Sequence, residues 1–366
     1  MTASATLIQP RLEWVGAAKQ SPDTRGVRLL TAERRPAWEH YIADHADGTL
    51  FHTLGWRDAV AACFPHEDIY LMAERDSRVV GVLPMFLLKS RLAGRILVSV
   101  PYGVGGGVIA DDDQAVESLF RATQDIAHRR DCRSVDFRSE KALINELPTS
   151  DCYVGFSREL PDHPKEILGW LPRKARAATR NGAAKFGLTA HYGDEHLDEA
   201  WQLYTLNMRR LASIAYPKRF LKNLIEHLPH WVCVARRGDR IVAGLVTFLH
   251  RDRVMPYFFG ATDEARECSA ANFLYASTME RGAAKGYRIY DFGRSRRDNA
   301  GSFDFKRFHG FEPRPLGYQR LDLGTGRSAD LTPTNPAFAW ARKVWPVLPL
   351  TLTQRLGAEL SKHIPG

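Results

Sequence analysis

The segment YDFGRSRRDNAGSFDFKRFHGFEP, residues 290–313, combines residue types that rarely occur together. It holds four arginines, one lysine and six aromatic residues, with glycines between them. A cation enclosed by aromatic rings is shielded from water, so its field acts more strongly on a developing negative charge. Lys306, in FDFKRF, is therefore our candidate for stabilising an oxyanion in a transition state. The alternative is a surface lysine that pairs with Asp304 or Glu312.

The same segment offers a general base and an anion-binding pair. Asp291 is a candidate base for removing a proton from a substrate. Arg294 and Ser295 follow a glycine, and arginine suits bidentate binding of phosphate or carboxylate. We predict that Arg294 and Ser295 bind substrate, whereas Arg296 and Arg297 fit a solvated loop.

The chain repeats itself at a spacing of 155 residues. Two hairpin-like segments, 70–87 and 231–249, also match after a shift of seven residues, and each predicts two strands joined by a charged turn. The matches at 155 are Pro101-Tyr102 with Pro256-Tyr257, Gly105 with Gly260, Arg133 with Arg288, Asp136-Phe137 with Asp291-Phe292, and Gly155-Phe156 with Gly310-Phe311.

The repeat separates structural residues from candidate functional ones. Asp291 has a counterpart in Asp136, and duplication favours a strand-end carboxylate that accepts backbone N–H groups. Phe305 and Lys306 have no counterpart, because Ser150 and Asp151 stand at the matching positions. A lysine present in only one half favours a functional role.

Each half predicts the same order of elements. A helix comes first, at roughly 31–46 and 194–211, followed by the hairpin and a strand ending in Pro-Tyr. A second helix then covers 112–130 and 269–286, with Ser269 as its N-cap in the second half and Gly286 as its stop. A final strand in each half ends in Asp-Phe.

This order resembles the GNAT acyltransferase fold, and two copies with a basic segment between them resemble the FemAB group of that superfamily. GYRIYDFGRS followed by FDFKRFHGF is similar to the "YDFGG … YRFKRGFGG" ending of Fem-type aminoacyl transferases. It is closer still to the "DFGRS … FK" ending of FemAB-like proteins found beside PEP-CTERM/exosortase and exopolysaccharide loci. The resemblance covers roughly residues 27–320.

The resemblance implies an α+β fold of two tandem GNAT-like domains, each a mixed central sheet flanked by helices. The expected division is a flexible N-terminal segment at 1–26, a first domain at 27–170, a basic linker helix at 171–188, a second domain at 189–325 and a C-terminal helical extension at 326–366.

The resemblance also implies a reaction and further site residues. The expected function is N-acyl or aminoacyl transfer to an amine of an amino sugar or of a cell-envelope or exopolysaccharide precursor. In Fem-type enzymes the Phe-Lys pair lies at the reacting centre, which implies that role for Phe305 and Lys306. The run N-x-R-R-L-x-x-x-x-Y-P resembles a segment that lines the acceptor cleft. The remaining implied substrate-binding residues are Arg210 and Tyr216 in that run, Trp56 with its neighbour His52 in FHTLGW, and Tyr257 and Asn272 around the pocket.

The acyl donor stays undecided between acyl-CoA and aminoacyl-tRNA. Acyl-CoA enzymes of this fold usually carry an [R/Q]-x-x-G-x-[G/A] loop whose N–H groups bind pyrophosphate. Residues 266–271 put Ser269 in place of the key glycine, and the glycine-rich GVGGGVIADDD of the first half places three aspartates where phosphate would lie. The long coiled-coil hairpin that some Fem enzymes use to hold tRNA is missing as well. We expect no tightly bound cofactor and no metal.

Composition adds limits on partners and compartment. The net charge of +9 favours an anionic partner, and the basic segment 171–188 suits tRNA phosphates, a nucleotide diphosphate or acidic lipid. Five widely spaced cysteines without CxxC argue against a disulfide framework or a structural zinc site and fit a reducing cytoplasm. No signal peptide or membrane span is expected.

Several partners and two other functions stay open. The acceptor is a small-molecule or lipid-linked sugar, tRNA is a candidate donor, and DNA is not expected. FAWARKVWPVLPLTL, residues 338–352, could lie on the inner face of the membrane or pack against its own domain. The alternatives to an enzyme are a catalytically inactive GNAT-like scaffold and a nucleic-acid-binding protein.

Overall fold

The computed structural model describes residues 26–91, 93–323 and 339–366. It is an α+β structure with two sheets flanked by helices. The strands are β1 (Val27–Leu29), β2 (Glu67–Arg75), β3 (Arg78–Ser90), β4 (Gly94–Ser99), β5 (Ile109–Ala110), β6 (Ser134–Ser139), β7 (Tyr153–Glu159), β8 (Leu188–Tyr192), β9 (His230–Arg237), β10 (Arg240–His250), β11 (Arg253–Ala261), β12 (Ile289–Arg296), β13 (Arg314–Pro315) and β14 (Gly317–Asp322). The helices are α1 (Arg35–Asp44), α2 (Leu54–Cys63), α3 (Asp113–Arg129), α4 (Ile167–Trp170), α5 (Arg173–Ala184), α6 (Leu197–Arg210), α7 (Lys218–His227), α8 (Ala270–Ala284), α9 (Ala300–Phe308), α10 (Ala339–Val344) and α11 (Leu350–Leu360).

Both sheets are mixed, and each has one parallel pair of strands at its centre. The first sheet has the order β1-β2-β3-β4-β6-β14 with β5 beside β3, and the second has the order β13-β7-β12-β11-β10-β9-β8. The parallel pair β4–β6 joins residues 96–98 to 134–136, and the pair β11–β12 joins only 253–254 to 289–290. Beyond these short contacts the two strands are no longer paired, so each sheet has a cleft at its centre.

The predicted hairpins and helices are confirmed. β2 and β3 are joined at Asp76 and Ser77, which both have positive φ, as a tight hairpin turn requires. β3 is buried along most of its length instead of alternating, because helices cover both faces of a central strand. In the second half α6 lies directly on β11 at Gly260, where a Cβ would come within 2.2 Å of the main chain of α6. The expected flexible segment 1–26 falls almost wholly outside the described residues, as does 326–338.

The last strand of each half completes the sheet of the other half. β7 pairs antiparallel with β12, and β14 pairs antiparallel with β6. The match of Gly155-Phe156 with Gly310-Phe311 is therefore wrong, because Phe156 lies in β7 whereas Phe311 follows α9. Ser157 lies opposite Asp291 and Arg320 lies opposite Asp136, so the structural counterpart of Gly155-Phe156-Ser157 is Tyr318-Gln319-Arg320. The division by sequence at 171–188 did not foresee the exchange.

The two halves also share one hydrophobic core. Trp56 on α2 is fully buried and packs edge-on against Phe220 of α7, with ring centroids 6.3 Å apart. Its ring lies 5.8 Å from that of Tyr257 on β11. Trp56, which the resemblance placed in the cleft wall, therefore lies in the core behind that wall. None of the helices in the described ranges is long and apolar enough to cross a membrane.

Candidate functional site

A bulge in β12 sets the geometry of the candidate site. The pairing of β12 with β7 runs from Asp291 opposite Ser157 directly to Arg294 opposite Gly155, so the residues between them bulge out. Gly293 has a φ of +65°, a conformation that glycine adopts without strain. The Asp291 carboxylate accepts a hydrogen bond from the Gly293 N–H at 2.8 Å and fixes the bulge. A bulge of this kind turns the following side chains, beginning with Arg294, towards a new direction.

Lys306 reaches this bulge from α9. The side chain of Asn299 caps the helix by accepting from the Ser302 N–H, and Lys306 follows one turn later. Lys306 is 7% exposed, and its Nζ donates to the Arg294 carbonyl at 2.8 Å, with the Gly293 carbonyl at 3.4 Å. It forms no ion pair with Asp304 or Glu312, so the surface-lysine alternative is wrong. An ammonium has three donors, which leaves at least one for a substrate oxygen.

Burial lowers the pKa of Lys306 to about 7, while the Asp291 carboxylate opposes this shift and the Arg294 guanidinium adds to it. An unfolded lysine titrates near 10.5. Between pH 7 and 10.5 the unfolded chain therefore binds more protons, and this residue makes the free energy of unfolding rise with pH, by at most about 1.4 kcal/mol per pH unit. Below pH 7 Lys306 is charged in both the folded and the unfolded state, and its burial lowers the free energy of unfolding by the full amount.

We expect Lys306→Met to gain stability over wild type at pH 6.5 and to lose that advantage as pH rises towards 10. Methionine has a similar length and carries no charge, so the pH dependence contributed by Lys306 disappears. Urea unfolding of both proteins at pH 6.5 and pH 9.5 measures the difference. An equal difference at the two pH values would contradict the burial of a charged Lys306.

Asp291 and its counterpart Asp136 both pair with an arginine of a neighbouring strand. Asp291 lies 3.5 Å from Arg253 on β11, and Asp136 lies 3.2 Å from Arg320 on β14. Together with its hydrogen bond to Gly293, this pairing supports a structural function for Asp291 over a general base.

Arg294 belongs to a group of arginine and tyrosine side chains between the two sheets, which we call the Arg–Tyr chamber. Its members are Arg138, Tyr153, Tyr216, Tyr257, Arg294 and Tyr318. Arg294 donates to the Tyr318 hydroxyl at 3.2 Å, and its guanidinium carbon lies 4.6 Å from the centre of the Tyr153 ring. The Tyr257 hydroxyl donates to the carbonyl of Tyr102, its own counterpart in the repeat. The chamber thus joins residues of both halves.

Arg138 is one of three chamber residues that the sequence prediction missed, with Tyr153 and Tyr318. It lies on β6, is 7% exposed, and burial together with the Arg294 guanidinium lowers its pKa. A signal was present in the sequence, because Asp136-Phe137-Arg138-Ser139 repeats as Asp291-Phe292-Gly293-Arg294-Ser295 with one added glycine. Comparison at a fixed spacing of 155 hides this match, since Gly293 shifts the arginine by one position.

The structure brings some of the predicted residues together and leaves others apart. Phe305 lies beside Lys306 and packs on His309 with ring centroids 4.5 Å apart. The Ser295 hydroxyl is 2.8 Å from that of Ser302 on α9. Tyr216 packs edge-on against Tyr102, with ring centroids 5.1 Å apart, at the border of the chamber.

Three predicted residues make their contacts elsewhere. Arg210 donates to the Ala261 carbonyl at 2.8 Å and pairs with the exposed Asp263 at 2.7 Å. Asn272 lies in the first turn of α8, and its buried side-chain oxygen has no hydrogen-bond partner among the described residues. His52 is buried and lies 2.9 Å from the Gly107 carbonyl, and burial lowers its pKa to about 4, which favours a neutral structural histidine. None of these contacts involves the chamber.

Comparisons with known proteins agree with this geometry. A family profile described as an acetyltransferase (GNAT) domain matches residues 169–307. A crystal structure of FemX has a TM-score of 0.61 at 13% identity and covers 81% of this chain and 97% of its own. A tandem GNAT protein from the clavulanic acid biosynthesis pathway has a TM-score of 0.53 at 11% identity, covering 82% and 99%. L-PGS from Bacillus licheniformis has a TM-score of 0.52 at 14% identity, covering 93% and 98%. A search of curated protein sequences found no significant match.

A mixed sheet whose central parallel pair separates, together with the matched profile, defines residues 169–307 of this chain as an acetyltransferase (GNAT) domain. The two tandem domains share the fold of the FemX structure and of the tandem GNAT protein. Among the residues described, no group of three His, Cys, Asp or Glu side chains is arranged to hold a metal ion.

Proposed function

We propose that this chain transfers an acyl or aminoacyl group to the amine of an amino sugar or of a cell-envelope or exopolysaccharide precursor. The observation that carries the proposal is the buried Lys306 side chain, whose Nζ lies at the β12 bulge beside the Arg–Tyr chamber. The acceptor nitrogen attacks the donor carbonyl, the new C–N bond forms, and the C–S or C–O bond of the donor breaks. The amine proton leaves to solvent or to a base. The link to PEP-CTERM/exosortase loci stays a prediction.

Lys306 has two functions in this proposal. Its ammonium holds the bulge through the carbonyl of Arg294, and its remaining donor stabilises the oxyanion that forms on the donor carbonyl. Phe305, Phe156 and the rings around them exclude water from this charge, since the Phe156 ring lies 5.1 Å from Nζ. Arg294 and Ser295 bind an anionic group of the acceptor, with Tyr216 and Tyr257 as walls. Arg210 and Asn272 lie nearer the donor, at the end of β11 and the start of α8.

The two helix N-termini favour a donor in the second half. In the first half the Asp112 side chain caps α3 by accepting from the Ala115 N–H, so phosphate is repelled there. In the second half Ser269 precedes α8 with a φ of +58° and makes no side-chain cap. Ser269 thus adopts a backbone conformation that glycine favours, although it replaces the glycine of the usual loop. This supports acyl-CoA as the donor.

Thermal unfolding with and without millimolar acetyl-CoA tests the donor. A ligand that binds the folded state raises stability by RT ln(1 + [L]/Kd), or about 2.7 kcal/mol at a hundredfold excess over Kd. We expect an upward shift for wild type that Ser269→Asp abolishes, because the new charge lies where phosphate would bind. Ser118→Asp makes the same charge change on α3 and should keep the shift. If acetyl-CoA does not raise the stability of wild type, acyl-CoA is rejected and charged tRNA becomes the proposed donor.

Helix α5 supports tRNA as the second donor candidate and nucleic-acid binding as the second candidate function. Arg173, Lys174, Arg180 and Lys185 are exposed, and none forms an ion pair within the described ranges. Arg176, on the same helix, is half-buried and donates to the Leu171 carbonyl instead. A pure nucleic-acid binder would hold uncharged RNA with an affinity that falls steeply with salt and would show no acyl transfer.

The C-terminal helices support peripheral contact with a membrane. Trp340 and Val347 are 75% and 79% exposed, and Leu352 and Leu356 are partly exposed on α11. Arg342 and Lys343 lie between the two most exposed residues. Exposed apolar side chains flanked by cations suit an anionic lipid surface, which agrees with a lipid-linked acceptor and a location at the inner face of the membrane.

A further inference from the structure

The segment Ser361–Gly366 occupies the central cleft of the first sheet. It lies beyond the point where β4 and β6 cease to pair. The Tyr102 N–H, just after β4, donates to the Pro365 carbonyl at 2.8 Å, and the Tyr102 hydroxyl donates to the Ser361 carbonyl at 2.8 Å. From the opposite strand, Arg138 donates to Pro365 O at 3.0 Å and to Gly366 O at 2.8 Å. The segment thus bridges the two separated strands.

The end of this segment reaches the Arg–Tyr chamber. A Cβ built on Gly366 would lie 2.7 Å from the Tyr216 hydroxyl and 3.2 Å from the Cα of Tyr102. Gly366 also has a φ of +83°, which favours glycine. Only a residue without a side chain fits here, so the segment follows the shape of the chamber closely.

Two guanidinium groups face this chamber without an Asp or Glu partner. Neither buried Arg138 nor partly buried Arg294 pairs with an Asp or Glu side chain within the described part of the chain. Arg138 donates to oxygens of Pro365 and Gly366, and Arg294 donates to the Tyr318 hydroxyl. Two like charges near each other repel, so the pair favours an anion that both can contact, and oxygens of the segment take the place of such an anion on Arg138.

We propose that Arg138 and Arg294 together bind a doubly charged oxyanion of the substrate, and that the segment Ser361–Gly366 is a displaceable occupant that covers Arg138 until that ligand binds. The inference rests on the proposed function, in which Arg294 binds an anionic group of the acceptor, and deepens it by adding a second arginine and a gate. An anion held by both arginines receives charge-assisted bonds from two guanidinium groups, whereas, of these two, the segment accepts from Arg138 alone. Displacement also leaves the Tyr102 N–H free for the ligand.

Calorimetric titration without any acyl donor tests the proposal. Inorganic pyrophosphate and succinate serve as probes for phosphate and carboxylate, and each is titrated into wild type, a variant lacking residues 362–366, and Gly366→Leu. We expect both variants to bind one of the probes at least tenfold more tightly than wild type. The leucine cannot fit beside Tyr216, so Gly366→Leu releases the segment at nearly full chain length if the shortened protein does not fold.

Two further proteins complete the design. Lys362→Ala changes the same segment at a side chain that contacts Glu359, and its affinity should stay within twofold of wild type. Arg138→Gln, added to the shortened protein, should reverse the gain in affinity. The proposal is overturned if removal of the segment leaves the affinity unchanged, if the gain persists without Arg138, or if neither probe binds any of the proteins. Tight binding without acyl transfer would instead overturn the transferase function and leave this site intact.

Discussion

Replacing Lys306 with alanine or methionine is expected to lower the rate of acyl transfer about 10²–10³-fold, which is the typical cost of removing one oxyanion donor. The loss should fall on kcat, because the interaction with Lys306 is strongest once the donor carbonyl becomes an oxyanion. A single-turnover assay with labelled donor and saturating acceptor measures it. The matched control is Lys285→Met, which makes the same change at an exposed lysine just after α8 and should leave the rate within twofold.

A second readout separates catalysis from support of the bulge. Lys306 holds the Arg294 carbonyl, so its loss could displace Arg294 and weaken acceptor binding. Displacement of this kind raises KM for the acceptor, whereas loss of an oxyanion donor lowers kcat at unchanged KM. Turnover within about threefold of wild type, or an effect confined to KM, would show that Lys306 is a positioning residue.

The sequence predicted the local elements of this fold because their signals are local. The charged hairpin turns and the segments that form α6 and α8 are set by neighbouring residues. Aromatic residues on both sides of Lys306 predicted a dry environment, and its side chain is buried. Asp291 was ranked as a structural carboxylate from its duplication, and its contacts with Gly293 and Arg253 support that ranking.

The sequence did not reveal which strands are neighbours. The residue pattern of β7, Tyr153–Glu159, does not indicate that its partner is β12 in the other half. The fixed spacing of 155 residues even led to a wrong match, because the structural counterpart of Gly155 is Tyr318, at a spacing of 163. Arg138 was missed for the same reason, since its importance depends on its position opposite Arg294 in the folded molecule.

The exchange of strands predicts that neither half folds alone. A fragment of residues 26–170 lacks β14, so β6 becomes an exposed edge next to the buried Val135 and Phe137. It also retains β7 without its partner β12. An unpaired central strand with an apolar face promotes aggregation. We expect the fragment to be insoluble or to show no cooperative thermal transition, and the same holds for residues 171–366, which lack β7.

Co-expression of the two fragments is the matched control, because it supplies every strand without the covalent linker. We expect the pair to form a soluble complex and to unfold in one transition, as the intact chain does, since Trp56 and Phe220 pack in a single core drawn from both halves. Circular dichroism and thermal melts of each fragment and of the pair measure this. A fragment 26–170 that unfolds cooperatively by itself would show that the exchanged strands are dispensable. One folding unit would also explain how Arg138 and Arg294, from opposite halves, keep a fixed distance across the chamber.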